Sequence, residues 1–311
     1  MSKDTPDYHR ELEKKRNQRL KKMNRREWLK YSFLGGTGLL ASVGYLSFES
    51  QWLEIQEKEI LLKRLRPQTH LRLLHLSDLH LSKVVSLEYL EKALLVGLSQ
   101  SPDACFITGD FITDQPQTEE LRKYAKILGS FAEQVPTFAC LGNHDGGKWA
   151  RENGGFSSNQ KIKNLLNSAK VRVLENERMP LFIKGQKIEL VGVGDLWSEN
   201  CRPQNCLEKL SSSQEKKNFP IFLLNHNPDA KEVLGNYKWD MMLSGHTHGG
   251  QFIIPFENYA PFAPVKDRKQ ASGTFNWKGR IIHITRGIGN LYGIRLNCRP
   301  EISLLKVSGI S

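Results

Sequence analysis

Thr137-Phe138-Ala139-Cys140-Leu141-Gly142-Asn143-His144-Asp145 is an apolar run that passes directly into a glycine and three chemically active side chains. Such a run reads as a buried strand, and the glycine lets the backbone turn sharply where the strand stops. The same arrangement recurs on both sides. Leu71 to Leu76 runs into Ser77-Asp78-Leu79-His80, and Ala104 to Ile107 into Thr108-Gly109-Asp110. Pro220 to Leu224 runs into Asn225-His226-Asn227-Pro228, and Trp239 to Leu243 into Ser244-Gly245-His246-Thr247-His248. Lys187 to Val193 and Arg280 to Thr285 are two more apolar runs of strand length. Helical patterns cover Ser86 to Gln100, behind a serine cap, Gln117 to Gln134 and Gln160 to Ser168. Short strands alternating with helices are the pattern of βαβ units, so residues 71–311 are expected to form one α/β domain with a largely parallel sheet. The polar stretches 146–160 and 198–218 are expected as surface loops, and 51–70 as a linker.

In open α/β sheets ligands bind beyond the carboxyl ends of the strands, which is where these Asp, His and Asn side chains fall. Asp-x-His and His-x-His at a strand end send residues i and i+2 to the same side, so one metal can take both or two neighbouring metals can share them. Carboxylate, imidazole and amide oxygen together suit Mn, Fe, Zn or Co, with the identity left open. Any one of these blocks is an ordinary polar turn. Five in order across the 171 residues from Asp78 to His248 describe a site.

The order D-x-H, G-D, G-N-H-D, H, G-H-x-H resembles the signature of the calcineurin-like metallophosphoesterases, from about Arg72 to Val307. Within that superfamily the chain looks like the membrane-associated phosphodiesterase branch of the YaeI and YkuE type, on Gly194-Asp195-Leu196-Trp197, His226-Asn227-Pro228-Asp229 and the run Leu291 to Pro300. It is also similar to the chlamydial-type UDP-2,3-diacylglucosamine pyrophosphatase. The resemblance implies a four-layer αββα metallophosphoesterase sandwich with mixed sheets, preceded by a basic and hydrophobic leader. It implies two divalent metal ions, one held by Asp78, His80, Asp110 and His248, the other by Asp110, Asn143, His226 and His246. Asp110 then bridges. His144 is the expected proton donor to the leaving group, and Asp145 resembles the residue that orients it. With two cations against two carboxylates the site carries about +2, which attracts a phosphodiester or diphosphate, and a water between the metals becomes the nucleophile. Arg286, in Thr285-Arg286-Gly287, is a candidate contact to a substrate phosphate, with a simple turn as its alternative. Phe252, Phe256, Tyr259 and Phe262 follow the last metal motif, either as core or as contacts to an acyl chain or membrane.

The charge of the 311-residue chain is +12, which by itself suggests nucleic acid or an anionic membrane. Half of the excess lies in residues 1–30, which hold 11 Lys and Arg against 5 Asp and Glu. Within them Asn24-Arg25-Arg26-Glu27-Trp28-Leu29-Lys30 resembles a twin-arginine export signal. Eighteen residues without a charge follow, Tyr31 to Phe48, at the lower limit for spanning a bilayer. Residues 1–30 are thus expected as a basic segment and 31–50 as a membrane anchor or signal, making an inner membrane surface the partner and nucleic acid none. Two placements stay open. The positive flank keeps the N-terminus cytoplasmic and sends the domain across, or the segment lies in the inner leaflet and the domain stays in the cytosol. The five cysteines show no zinc-finger spacing, and Cys201 and Cys206 are either a short disulfide or a reduced pair.

The expected function is a dinuclear hydrolase, with manganese among its candidate metals, of a phosphorylated or nucleotide-linked lipid, with UDP-2,3-diacylglucosamine of lipid A synthesis as the specific substrate. An exported phosphodiesterase of general or cell-envelope substrates is the alternative, and a non-catalytic membrane-attached binding protein the remote one.

Overall fold

In the computed structural model, which describes residues 44–212, 219–255, 257 and 259–310, the apolar runs become strands of two six-stranded sheets. Leu46–Ser311 forms one compact unit. In the first sheet β1 (Glu54–Leu62) pairs in parallel with β12 (Glu301–Gly309), which runs antiparallel to β2 (His70–Leu76). Parallel strands β3 (Ala104–Thr108), β4 (Thr137–Cys140) and β5 (Arg172–Val173) follow. The second sheet has the order β10 (Gly273–Trp277), β11 (Arg280–Ile284), β9 (Met241–Ser244), β8 (Ile221–Leu224), β7 (Gln186–Gly192), β6 (Glu177–Ile183). Its outer pairs are antiparallel and its inner ones parallel.

Alternation along each strand builds the layers, because successive side chains leave a strand on opposite faces. Leu73, Phe106, Phe138 and Leu305 meet Leu190, Phe222, Met241 and Leu243 between the sheets. Truncating one of these buried rings to alanine costs about 3–5 kcal/mol. Their neighbours Leu74, Cys105 and Ile107 face outward beneath α1 (Leu87–Leu98), α2 (Thr118–Ala132) and, after the short α3 (Lys148–Glu152), α4 (Gln160–Ser168). On the far side Val191, Leu223 and Met242 pack under Leu207 of α5 (Gln204–Ser212) and Leu234 of α6 (Lys231–Leu234). The result is the four-layer αββα sandwich with mixed sheets.

Three expectations are corrected. A single largely parallel sheet becomes two mixed ones, because β12 and the edge strands β6 and β10 add antiparallel pairs. Residues 54–62, expected as linker, are strand β1, whose Ile60 and Leu62 are buried while Glu57 and Glu59 face solvent. Glu and Lys have poor strand propensity, and here they guard a sheet edge. Loops 146–160 and 198–218 contain α3 and α5, the latter burying Cys206 and Leu207. The twin-arginine motif and residues 31–43 of the uncharged run lie outside the described residues, as does Phe256. Among the described residues no helix is long and apolar enough to cross a membrane.

Candidate metal centre

The C-terminal ends of β2, β3, β4, β8 and β9 meet, and each delivers the residues that follow it in the chain. Asp78, His80, Asp110, His246 and His248 all have positive φ, at 52°, 50°, 55°, 70° and 50°. Left-handed backbone at a non-glycine residue costs on the order of 1–3 kcal/mol and persists only where the surroundings enforce it. Bonds between adjacent loops do so: Asp78 N to Gly109 O at 2.9 Å, His80 N to Asp110 O at 3.0 Å and Gly245 N to His226 O at 3.0 Å. Gly142 and Gly245 are required by space. A Cβ at Gly142 would collide with the Asp110 carboxylate, and one at Gly245 with Ser77 Oγ and the Asp78 carboxylate.

The side chains gather as two clusters that share Asp110. His80 Nε2 lies 3.1 Å from His248 Nε2 and 3.9 Å from Asp78 Oδ1, and His248 Nε2 is 3.4 Å from Asp78 Oδ1. In the second cluster His226 Nε2 is 3.2 Å from His246 Nδ1. Asp110 Oδ2 stands between the two, 3.4 Å from His80 Nε2 and 3.1 Å from His226 Nε2. Asn143 Oδ1 and His246 Nε2 are buried without a hydrogen-bond partner. These residues fit two divalent cations. His226 Nδ1 donates to Thr108 O at 2.6 Å and His80 Nδ1 sits 3.1 Å from Thr113 Oγ1, so in both rings the opposite nitrogen is the one presented to the cluster. Ligating histidines are oriented in this way.

The buried titratable groups of the cluster act on one another. Burial pushes the Asp78 carboxyl up to about 6, and the neighbouring Asp110 charge adds to this while His226 opposes it. Burial disfavours the His226 imidazolium, yet Asp110 outweighs it and raises this group to about 10. A proton therefore occupies a position that a cation must take. Ligands must shed protons to bind metal, so affinity rises with pH. Manganese affinity, read by chelator competition between pH 5 and 8, is expected to fall about tenfold per unit as pH drops, through the His226 proton. Below about 6 the fall steepens as Asp78 takes up a second proton. A flat profile would remove these two residues from the ligand set.

All seven expected ligands converge, and His144 is beside them. Its ring lies 4.8 Å from that of His80, and its backbone N–H donates to Asp110 Oδ1 at 2.9 Å. The expected orienting role of Asp145 is corrected. His144 Nδ1 donates to Thr113 O at 2.7 Å, whereas the Asp145 carboxylate accepts the backbone N–H groups of Asp110, Phe111 and Gly142 at 2.9, 2.7 and 2.8 Å. Asp145 thus ties the loop after β3 to the loop after β4, since a buried carboxylate must find donors and these three backbone groups are within reach. Arg286 is corrected as well. Its Nε donates to Glu301 at 2.7 Å and its NH2 group to Glu54 at 2.8 Å, one of them on the strand expected as linker. Cys201 and Cys206 are free thiols.

Four contributors carry no motif. Thr113 holds both His80 and His144. Trp149 packs on His144 with centroids 4.5 Å apart, and Trp197 meets the edge of His246 at 4.3 Å. Arg295, wholly buried, donates to the carbonyls of His248, Cys298, Arg286 and Gly289 and so fastens the loops after β9 and β11 together. Trp197 and Arg295 stand in the runs Gly194 to Trp197 and Leu291 to Pro300 that carry the family resemblance; nothing in the chain order of Thr113 and Trp149 links them to the ligands.

A family model described as calcineurin-like phosphoesterase matches residues 71–250. Phosphodiesterase YaeI of Escherichia coli is 39% identical over 236 residues, which span 76% of this chain and 82% of that protein. The uncharacterized metallophosphoesterase YkuE of Bacillus subtilis is 30% identical over 295 residues, covering 92% of this chain and 98% of its own. The UDP-2,3-diacylglucosamine pyrophosphatase LpxG of Chlamydia muridarum is 26% identical over 282 residues, with 76% and 83% covered.

Proposed function

The chain belongs to the calcineurin-like phosphoesterase family and is a metal-dependent hydrolase, and on that premise we propose that it cleaves UDP-2,3-diacylglucosamine to UMP and 2,3-diacylglucosamine 1-phosphate. One observation carries the reading. Asp110, Asn143, His246 and His248 line a cavity of about 610 Å³ whose lining also includes Phe252, Phe262, Pro264 and Leu291, so a phosphate-binding floor adjoins an apolar wall. An amphipathic phosphate suits that combination, and the LpxG relative is named as a pyrophosphatase of this kind.

Divalent ions held by Asp78, His80, Asp110, Asn143, His226, His246 and His248 would supply Lewis acidity and a water acidified toward a pKa of about 7. Hydrolysis adds one water across the diphosphate, breaking one P–O bond and leaving UMP and the sugar 1-phosphate. His144 has its Nδ1 committed to Thr113, which leaves Nε2 to carry a proton to the departing oxygen. Trp149 and Trp197 pack on His144 and His246 and keep bulk water from that side of the rings.

The test is UMP release from the lipid nucleotide by the purified, manganese-loaded protein. Release at a rate that is saturable and lost on chelation is the expected result, and its absence sinks the assignment. The phosphodiesterase name of the YaeI relative favours a second reading, an exported phosphodiesterase of envelope substrates. That reading gains if an alkaline-phosphatase fusion at residue 60 is active outside the cytosol, because the lipid nucleotide is expected at the cytosolic face.

A further inference from the structure

Phe262 and Tyr292 are 73% and 70% exposed, the two most exposed large apolar side chains among the described residues, and both border the cavity. Large aromatic side chains left in water beside a ligand pocket mark a surface that something apolar covers. Phe252, Pro264 and Leu291 line the same cavity, together with Thr247 and His248. Phe252 and Phe262 meet edge to face, with centroids 6.0 Å apart.

The wall is built from two loops that hold each other. Ile253 N donates to Leu296 O at 3.0 Å, Leu296 N to Gln251 O at 2.8 Å and Leu291 N to Gln251 Oε1 at 3.3 Å. A third segment is fastened to the same place. Arg295 N donates to Leu46 O at 3.1 Å, Ser50 Oγ to Gly293 O at 3.1 Å and Cys298 N to Glu49 Oε1 at 2.8 Å. Leu46 to Phe48 close the uncharged run that begins at Tyr31, and Phe48 is itself 60% exposed. The apolar run therefore ends on the loop that carries Tyr292.

We propose that this wall is a seat for the acyl chain of a lipid phosphate that enters from a bilayer, with Phe262 and Tyr292 at the bilayer surface and the phosphate at the metal ligands. The proposal rests on the reading of the site as acting on a lipid-linked phosphate. The source is a bilayer because the described end of the uncharged run, Leu46 to Phe48, is hydrogen-bonded to the loop that carries Tyr292 and leaves Phe48 exposed beside it. Each methylene that the wall removes from water is worth about fourfold in affinity.

The full manganese-loaded chain is assayed on UDP-2,3-diacylglucosamine in phospholipid vesicles and on bis(p-nitrophenyl) phosphate in water. In the double variant Phe262→Ser, Tyr292→Ser the ratio of kcat/KM for lipid over soluble ester is expected to fall about 10- to 100-fold. Phe182→Ser, 65% exposed on β6 and outside the cavity, serves as the comparison and leaves the ratio as it is. A ratio within twofold of wild type in the double variant overturns the seat. Binding gives a second readout without turnover. Phosphatidic acid with brominated chains is expected to quench, in the zinc-loaded chain, the fluorescence that Trp149→Phe and Trp197→Phe remove; no quenching of that component overturns the seat. UMP release with an unchanged ratio keeps the substrate and discards the seat. Quenching and soluble-ester cleavage without UMP release keep the seat and discard the nucleotide.

Discussion

Asp110→Asn is expected to lower kcat/KM by at least about 10³-fold on any phosphoester and to reduce bound metal to one ion or fewer. Removing a single preorganised stabilising group in an active site costs about 10²–10³-fold, and this substitution acts on both metal positions at once. Asp110 Oδ2 is within 3.4 Å of His80 and 3.1 Å of His226, the one atom common to both clusters. The amide is chosen over alanine because it can still accept the His144 N–H through Oδ1, as the carboxylate does at 2.9 Å. What is lost is then the charge and not the loop. Metal content by elemental analysis and the circular dichroism spectrum separate the two. Two bound ions with a tenth or more of the activity would show that Asp110 does not bridge.

His144→Ala is expected to lower kcat by about 10²–10⁴-fold while both ions stay bound, the range that one positioned proton donor contributes. The loss should depend on the leaving group. A nitrophenolate departs without a proton, so bis(p-nitrophenyl) phosphate is expected to lose far less than an ester of an aliphatic alcohol. Equal losses on the two substrates would make His144 a binding group and not an acid. Because Nδ1 is bound to Thr113 O at 2.7 Å, the ring has one nitrogen free for this work.

The residues that converge were legible from the chain because each stands within a few residues of the end of an apolar run. A strand and the turn after it are local, so hydrophobic patterning locates both. The strands Leu71 to Leu76 and Thr137 to Leu141 are found as read, to within one residue. Strand β1 escaped because alternating Glu and Lys disguise an edge, and β6 because Pro180 interrupts it, which an edge strand tolerates. The existence of a second sheet was beyond residue patterning, since pairing partners such as Met241 and Ile281 are distant in the chain.

Residue type and local order by themselves determined the α/β class and the stretch of strand ends where candidate Asp, His and Asn donors stand, because a metal site needs particular donor atoms and strand ends present them. The division into seven ligands and a proton donor came from the family resemblance. Tertiary structure alone decided what holds those atoms in place. It gave Asp145 to three backbone N–H groups and His144 to the carbonyl of Thr113. It paired Arg286 with Glu54 and Glu301, and it set Arg295 among the carbonyls of two loops. The reason is one of reach. A buried charge must find its partners within about 3 Å, and which groups lie that close depends on how the whole chain packs, not on which residues stand beside it in the sequence.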